Sequence, residues 1–137
     1  MRPRPATTTF VRAAFVVALV VAVTLPVGAA HAEGTDADPW WGRDKALHFS
    51  ASASLAVVGY AGTSMGTESR ATRAAGGAAL AVGAGVAKEL WDLDGHGDAS
   101  WRDLSWDLIG ATTGVLVSLA IDWSIHRLFR PPAGRTR

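Results

Sequence analysis

Between Ala46 and Met65 the chain runs for 20 residues without an aspartate, glutamate, lysine or arginine, and Leu108 to Ile121 does the same over 14. Stretches this apolar must be buried in a core or given to lipid, and in either place the backbone needs its own hydrogen-bond partners. A helix supplies them locally. No segment alternates with period two for long enough to build a sheet, so the pattern predicts helices only. The first runs from Asp44 to about Met65, where Gly62, Thr63, Ser64 and Gly66 break it. The second runs from about Glu68 to Trp91 and is rich in Ala and Gly. The third starts near Ser100, with Asp103 three residues on as a variant capping box, and continues to about Phe129 before Pro131 and Pro132. The expected fold is all-α: a three-helix, up-down-up, membrane-type bundle preceded by a signal-peptide helix.

Residues 1–32 have the form of a secretory signal. Arg2, Arg4 and Arg12 give a positive start, Ala13 to Leu25 an apolar run, and Ala30-His31-Ala32 a small-x-small cleavage site. The alternative is an uncleaved anchor, and both place Glu33 outside the cytoplasm. Residues 33–43 then read as a loose extracytoplasmic lead-in, 44–129 as the bundle domain and 130–137 as a basic tail. The chain has no cysteine, so disulfides, thiolate chemistry and lipid attachment through cysteine are excluded. With the three leader arginines set aside, the 12 acidic residues outnumber the basic ones, and no Lys/Arg block suits a phosphate backbone. Nucleic acid is not an expected partner.

A membrane span needs about 20 apolar residues, so length alone is marginal. Charge and aromatic placement favour lipid. With Glu33 outside, the inner side carries Arg70, Arg73, Arg127, Arg130, Arg135 and Arg137, the expected positive-inside bias. Trp40, Trp41, Trp91, Trp101 and Trp106 gather at the outer end, where an aromatic belt lies. Ala75, Ala79, Gly83 and Ala87 recur every four residues, and Gly110 and Gly114 form a GxxxG. These rows are expected to let helices approach closely, unless they reflect only an Ala/Gly-rich composition. The expected location is the cell envelope, in the inner membrane, with the outer end facing the periplasm or exterior.

Three charged clusters then share that end. Asp44 and His48 are four residues apart on one helical face, with Lys45 beside them; the aspartate can orient the imidazole, hold a metal with it, or simply offset the helix dipole. Glu89 and Asp92, with Lys88, sit at a helix C-terminus, where carboxylates oppose the dipole and call for a compensating cation. Asp107 lies on the same face as Asp103, Gly110 and Gly114, so it points into the bundle and needs Lys45, His48 or Lys88 as partner. Separately, DLDGHGDASWRD resembles a twelve-residue EF-hand loop, with Asp92, Asp94, Asp98 and Asp103 as oxygen ligands for calcium and Gly97 at the sixth position. Its fifth position is His96, a poor calcium ligand, and Asp103 is shorter than the usual glutamate. The plain alternative is an acidic turn between helices.

The phrases DKALHF (44–49), KELWD (88–92) and SWRDLSWDLIGATTG (100–114) resemble the YfiM-like family of bacterial periplasmic proteins, and more distantly the VanZ-like membrane proteins. The resemblance covers most of 44–123 and rests on Asp44, Lys45, His48, Glu89, Asp103, Asp107 and Gly110. It implies a small helical envelope protein without an established activity; VanZ-like proteins are linked to teicoplanin resistance. The Asp-rich segment 94–98 departs from the pattern. The reading that follows is a polar pocket at the outer face of the membrane that binds a lipid or polyprenyl headgroup through Lys45, Lys88 and a divalent cation held by Glu89, Asp103 and Asp107. Were it an enzyme, Asp44, His48 and Glu89 would form the catalytic group, with His48 as general base oriented by Asp44. No nucleophilic side chain is evident. The competing reading is a non-catalytic structural protein whose small-residue faces bind a partner membrane protein.

Overall fold

The computed structural model describes residues 38–128; the signal segment, the lead-in up to residue 37 and residues 129–137 lie outside the described residues. Three helices are present: α1 (Arg43–Thr63), α2 (Arg70–Trp91) and α3 (Trp101–Leu128). A π-helical turn, Asp92–His96, extends α2 and contains Gly95, whose φ of 89° kinks the chain in a region that favours glycine. No strand occurs among the described residues.

Ion pairs and hydrogen bonds fix the direction of each helix. Lys45, early in α1, meets Asp103, early in α3, and Tyr60, late in α1, meets Asp122, late in α3. Helix α2 runs the other way, since its early Arg73 reaches Asp122 and its late Lys88 reaches Asp103. The arrangement is therefore up-down-up, and every pair of helices is in contact.

Small residues set the helix spacing. At the centre, Ala56, Ala81 and Ala111 are almost fully buried together. Gly110 and Gly114 lie against the backbone of Phe49 and Ala53, so the expected GxxxG is a real α1–α3 contact. On α2 the expectation is corrected. Ala75, Ala79, Gly83 and Ala87 are exposed, and a Cβ added at Gly83 would meet nothing within 4 Å. The packed row is Arg73, Gly77, Ala81 and Gly85, with the Gly77 position 2.5 Å from the Ala56 carbonyl for an added Cβ. Two residues along a helix is a rotation of roughly 200°. Arg73 decides which row turns inward, because its guanidinium is bound to the Thr67 carbonyl and to Asp122 inside the bundle.

The distribution of polarity is inverted relative to a protein in water. Among the described residues, ten polar or charged side chains are buried against six hydrophobic ones, and the latter are mostly Ala. Leu47, Val58, Leu80, Leu108, Ile109, Leu116 and Val117 point outward instead. Among the described helices, α3 is long and apolar enough to cross a membrane.

The end of the lead-in is not loose. The Trp106 indole donates to the Trp40 carbonyl at 2.9 Å, and Trp40 and Trp41 meet Trp101 and Trp106 edge-on at 4.7 and 5.0 Å. Arg102 lies over Trp40. Aromatic pairs of this kind add roughly 0.5–1.5 kcal/mol each beyond the area they cover, which is enough to seat 38–42 across the start of α3.

Candidate functional site

The three charged clusters do converge, and the point of convergence is Asp103. Ser100 caps α3, its hydroxyl accepting from the Asp103 amide at 3.2 Å, as the capping pattern predicts. The reciprocal half of the capping box comes from elsewhere: Glu89, on α2, accepts from the Ser100 amide at 2.6 Å. Asp103 is thereby released from capping its own helix. Its buried carboxylate instead binds Lys45 of α1 and approaches Lys88 of α2.

Both lysines are fully engaged. Lys45, nearly buried, is held by Asp38, Asp44 and Asp103. Lys88 reaches Asp92 at 2.8 Å, Glu89 at 3.2 Å and Asp103 at 3.4 Å. Each ammonium is thus already paired with carboxylates, Lys45 in a buried position and Lys88 in a partly exposed one. The Lys45 and Ser100 hydrogen bonds also hold the Asp38 carboxyl below its ordinary value near 3.8, with Lys45 the larger cause.

His48 is oriented from within the bundle. Its Nδ1 lies 3.1 Å from Asp107 Oδ2, and Ser52 donates to Asp107 Oδ1 at 2.6 Å. The ring is thus turned with Nδ1 toward Asp107 and Nε2 toward the bundle end. Asp107 thus performs the orienting role expected of Asp44. Asp44 is largely exposed and comes no nearer than 4.0 Å, on the Nε2 side, where Asp103 Oδ2 also lies at 3.5 Å. Glu89 acts on the α3 N-terminus and not as a partner of His48. Chemically, the arrangement offers one imidazole nitrogen facing two carboxylate oxygens, open to solvent past Asp44.

The acidic residues of the EF-hand-like run each have other partners or face solvent. Asp92 is buried against Lys88 and folds over Gly97, while Asp103 is taken by Lys45. Asp94 pairs loosely with His96, which stacks on Trp91, and Asp98 is exposed. Among the described residues, the grouping of His, Asp and Glu atoms close enough for one ion is Asp44, His48 and Asp103.

A second polar cluster, at the opposite end, was not anticipated. Asp122 accepts from Arg70 Nε at 2.9 Å, from Arg73 at 3.3 Å and from the Tyr60 hydroxyl at 3.3 Å, with His126 at 3.4 Å. An arginine inside the Ala/Gly run of α2 and an aspartate closing the apolar run of α3 were the available signals, since buried ionisable residues pair with one another.

Neither models of protein families, nor curated proteins, nor solved structures give a match to this chain.

Proposed function

We propose that the chain is a small exported protein of the bacterial cell envelope whose helices lie in a membrane and whose outer end holds the polar head of a lipid or polyprenyl amphiphile. The observation that carries this reading is the combination of an apolar exterior with a partly buried imidazole that Asp107 meets from inside and that lies beside the exposed Asp44. An amphiphile lying along the exposed leucines would present its headgroup at that depth. The tryptophans around the start of α3 fit the interface between tails and water. The resemblance to YfiM-like and VanZ-like proteins points to the same compartment and to the same residues.

With Lys45 and Lys88 neutralised, the groups left to meet a headgroup are His48 Nε2 and the exposed Asp44. They can accept from hydroxyl or ammonium donors. Oriented by Asp107, His48 also has the geometry of a general base, but no nucleophilic side chain accompanies it, so binding is the activity proposed.

Native mass spectrometry of the detergent-solubilised protein, with a panel of phospholipids and polyprenyl phosphates, tests the reading. Wild type should retain one class of amphiphile. His48→Ala should lose it while keeping its helicity and most of its melting temperature. If the ion-pair network served only to lock helix ends, no amphiphile would be retained selectively, and His48→Ala would lower stability without any loss of binding.

A further inference from the structure

From the geometry around His48 we infer that Asp44, His48 and Asp103 form a binding site for a divalent first-row transition ion, zinc or manganese, at the outer end of the bundle. The inference deepens the headgroup reading, on which its location but not its chemistry rests.

The oxygens are divided in an informative way. Lys45 binds Oδ1 of Asp103 and Oδ2 of Asp44. The remaining oxygen of each, Asp103 Oδ2 and Asp44 Oδ1, faces His48 Nε2 at 3.5 and 4.0 Å. With Nδ1 turned to Asp107, Nε2 is the ring nitrogen that faces the two carboxylate oxygens, a convergence of three potential ligand atoms on one point. All three ligand atoms lie within 4.8 Å of one another. An ion with bonds of about 2.0–2.1 Å needs neighbouring ligand atoms roughly 3.3 Å apart. Asp103 already meets that spacing. Asp44, on an exposed side chain, reaches it by a change of rotamer.

Three further features fit an ion. Asp107 donates its charge to the far side of the imidazole, the carboxylate–histidine–metal arrangement that fixes the ring and raises its basicity. Ser52 holds Asp107 in turn. The surroundings are short of positive charge: Asp38, Asp44, Glu89, Asp92, Asp103 and Asp107 stand against Lys45, Lys88 and the nearby Arg102. Lys88 approaches Asp103 Oδ2 at 3.4 Å, but its nearer partner is Asp92 at 2.8 Å and its side chain is 40% exposed, so it can withdraw. One nitrogen and two oxygen ligands select zinc or manganese over calcium, which takes oxygen ligands alone. The solvent side past Asp44 leaves coordination positions for water or for a phosphate oxygen, so the ion would join an acidic rim to an anionic headgroup.

The test uses the full chain in detergent, stripped with chelator and without added lipid, titrated with zinc by calorimetry and with manganese by electron paramagnetic resonance. One ion per chain should bind. Asp44→Asn, an exposed change that leaves the buried Lys45–Asp103 pair in place, should weaken binding by at least about tenfold, the lower bound for even an outer-sphere loss. His48→Ala should abolish it, and Asp98→Asn at the same end should leave it unchanged. Absence of saturable binding, or binding that survives both His48→Ala and Asp44→Asn, overturns the inference and leaves a protonated imidazole between the acids. So does loss of binding confined to Asp94→Asn and Asp98→Asn, which would place the ion in the π turn. Metal binding without selective lipid retention sustains the site and sinks the headgroup reading; lipid retention that persists in chelator, with no metal bound, does the reverse.

Discussion

The two ends of the bundle use the same ingredients to opposite effect. At the end that is inner in the proposed orientation one carboxylate, Asp122, is shared by two arginines, a tyrosine hydroxyl and a histidine, and Arg73 is 1% exposed. The guanidinium fork offers several fixed donors, and here they are spent on Asp122, the Thr67 carbonyl and Glu68. That end is closed by its own chemistry. At the other end Lys45 and Lys88, with Arg102 nearby, meet a larger set of carboxylates, and one imidazole nitrogen faces two of them. Shared donors close the first end on itself; the second keeps an edge rich in acceptors.

The largest effect expected from that difference is at the Asp122 end. Arg73→Met removes a buried cation and should destabilise the bundle by roughly 3–5 kcal/mol, as for breaking a buried pair. Thermal unfolding in detergent, followed by circular dichroism, would show this, and a melting temperature equal to that of wild type would end the claim that the inner end holds the fold. Next comes Gly85→Ala, whose new Cβ would stand 2.6 Å from Asp107 Oδ2. Overpacking there should cost about 1–3 kcal/mol and, by moving the group that orients His48, impair the outer end more than the inner. Nitrogen-15 NMR of the His48 and His126 rings separates the two: a shift at His126 and none at His48 would contradict this. Gly83→Ala is the matched control on the exposed face of α2, and it should be neutral or stabilising by up to about 1 kcal/mol. Marked destabilisation would mean that the exposed row is packed after all.

The smallest effect is a pH effect on the outer rim. The folded-state value of Asp38 is lowered by Lys45 and Ser100, so its contribution to stability is fully present above about its ordinary value of 3.8 and is lost as pH falls through the lowered one. Acidification should therefore release 38–42 from α3 before the bundle melts. Tryptophan fluorescence, dominated by the Trp40, Trp41, Trp101 and Trp106 cluster, should change ahead of helicity. Coincident transitions would show that the lead-in is not held separately.

Helix number, order and bounds were legible because apolar runs, a serine cap and glycine or proline breaks are local signals. Arg43–Thr63 and Trp101–Leu128 lie within two residues of where the sequence places them. Convergence of the clusters was legible for the same reason, since antiparallel neighbours must return their ends to a common level. The face of α2 was not. Two Ala/Gly rows compete there, and choosing between them depends on Arg73 finding Asp122, a partner 49 residues away. Likewise, the spacing of Asp44 and His48 suggested a pair, whereas the carboxylate that orients the ring is Asp107, 59 residues away.

The order of residues alone made this an all-helical chain with ionisable ends and uncharged middles, because helix formation and its termination depend on neighbours within a few positions. Which acid serves which base depended on the packed bundle. Glu89 caps a helix to which it does not belong, Asp103 is thereby left for Lys45, and Asp107 turns the imidazole. Such assignments depend on angstrom-scale distances across helix contacts, where a rotation of one row changes every partner.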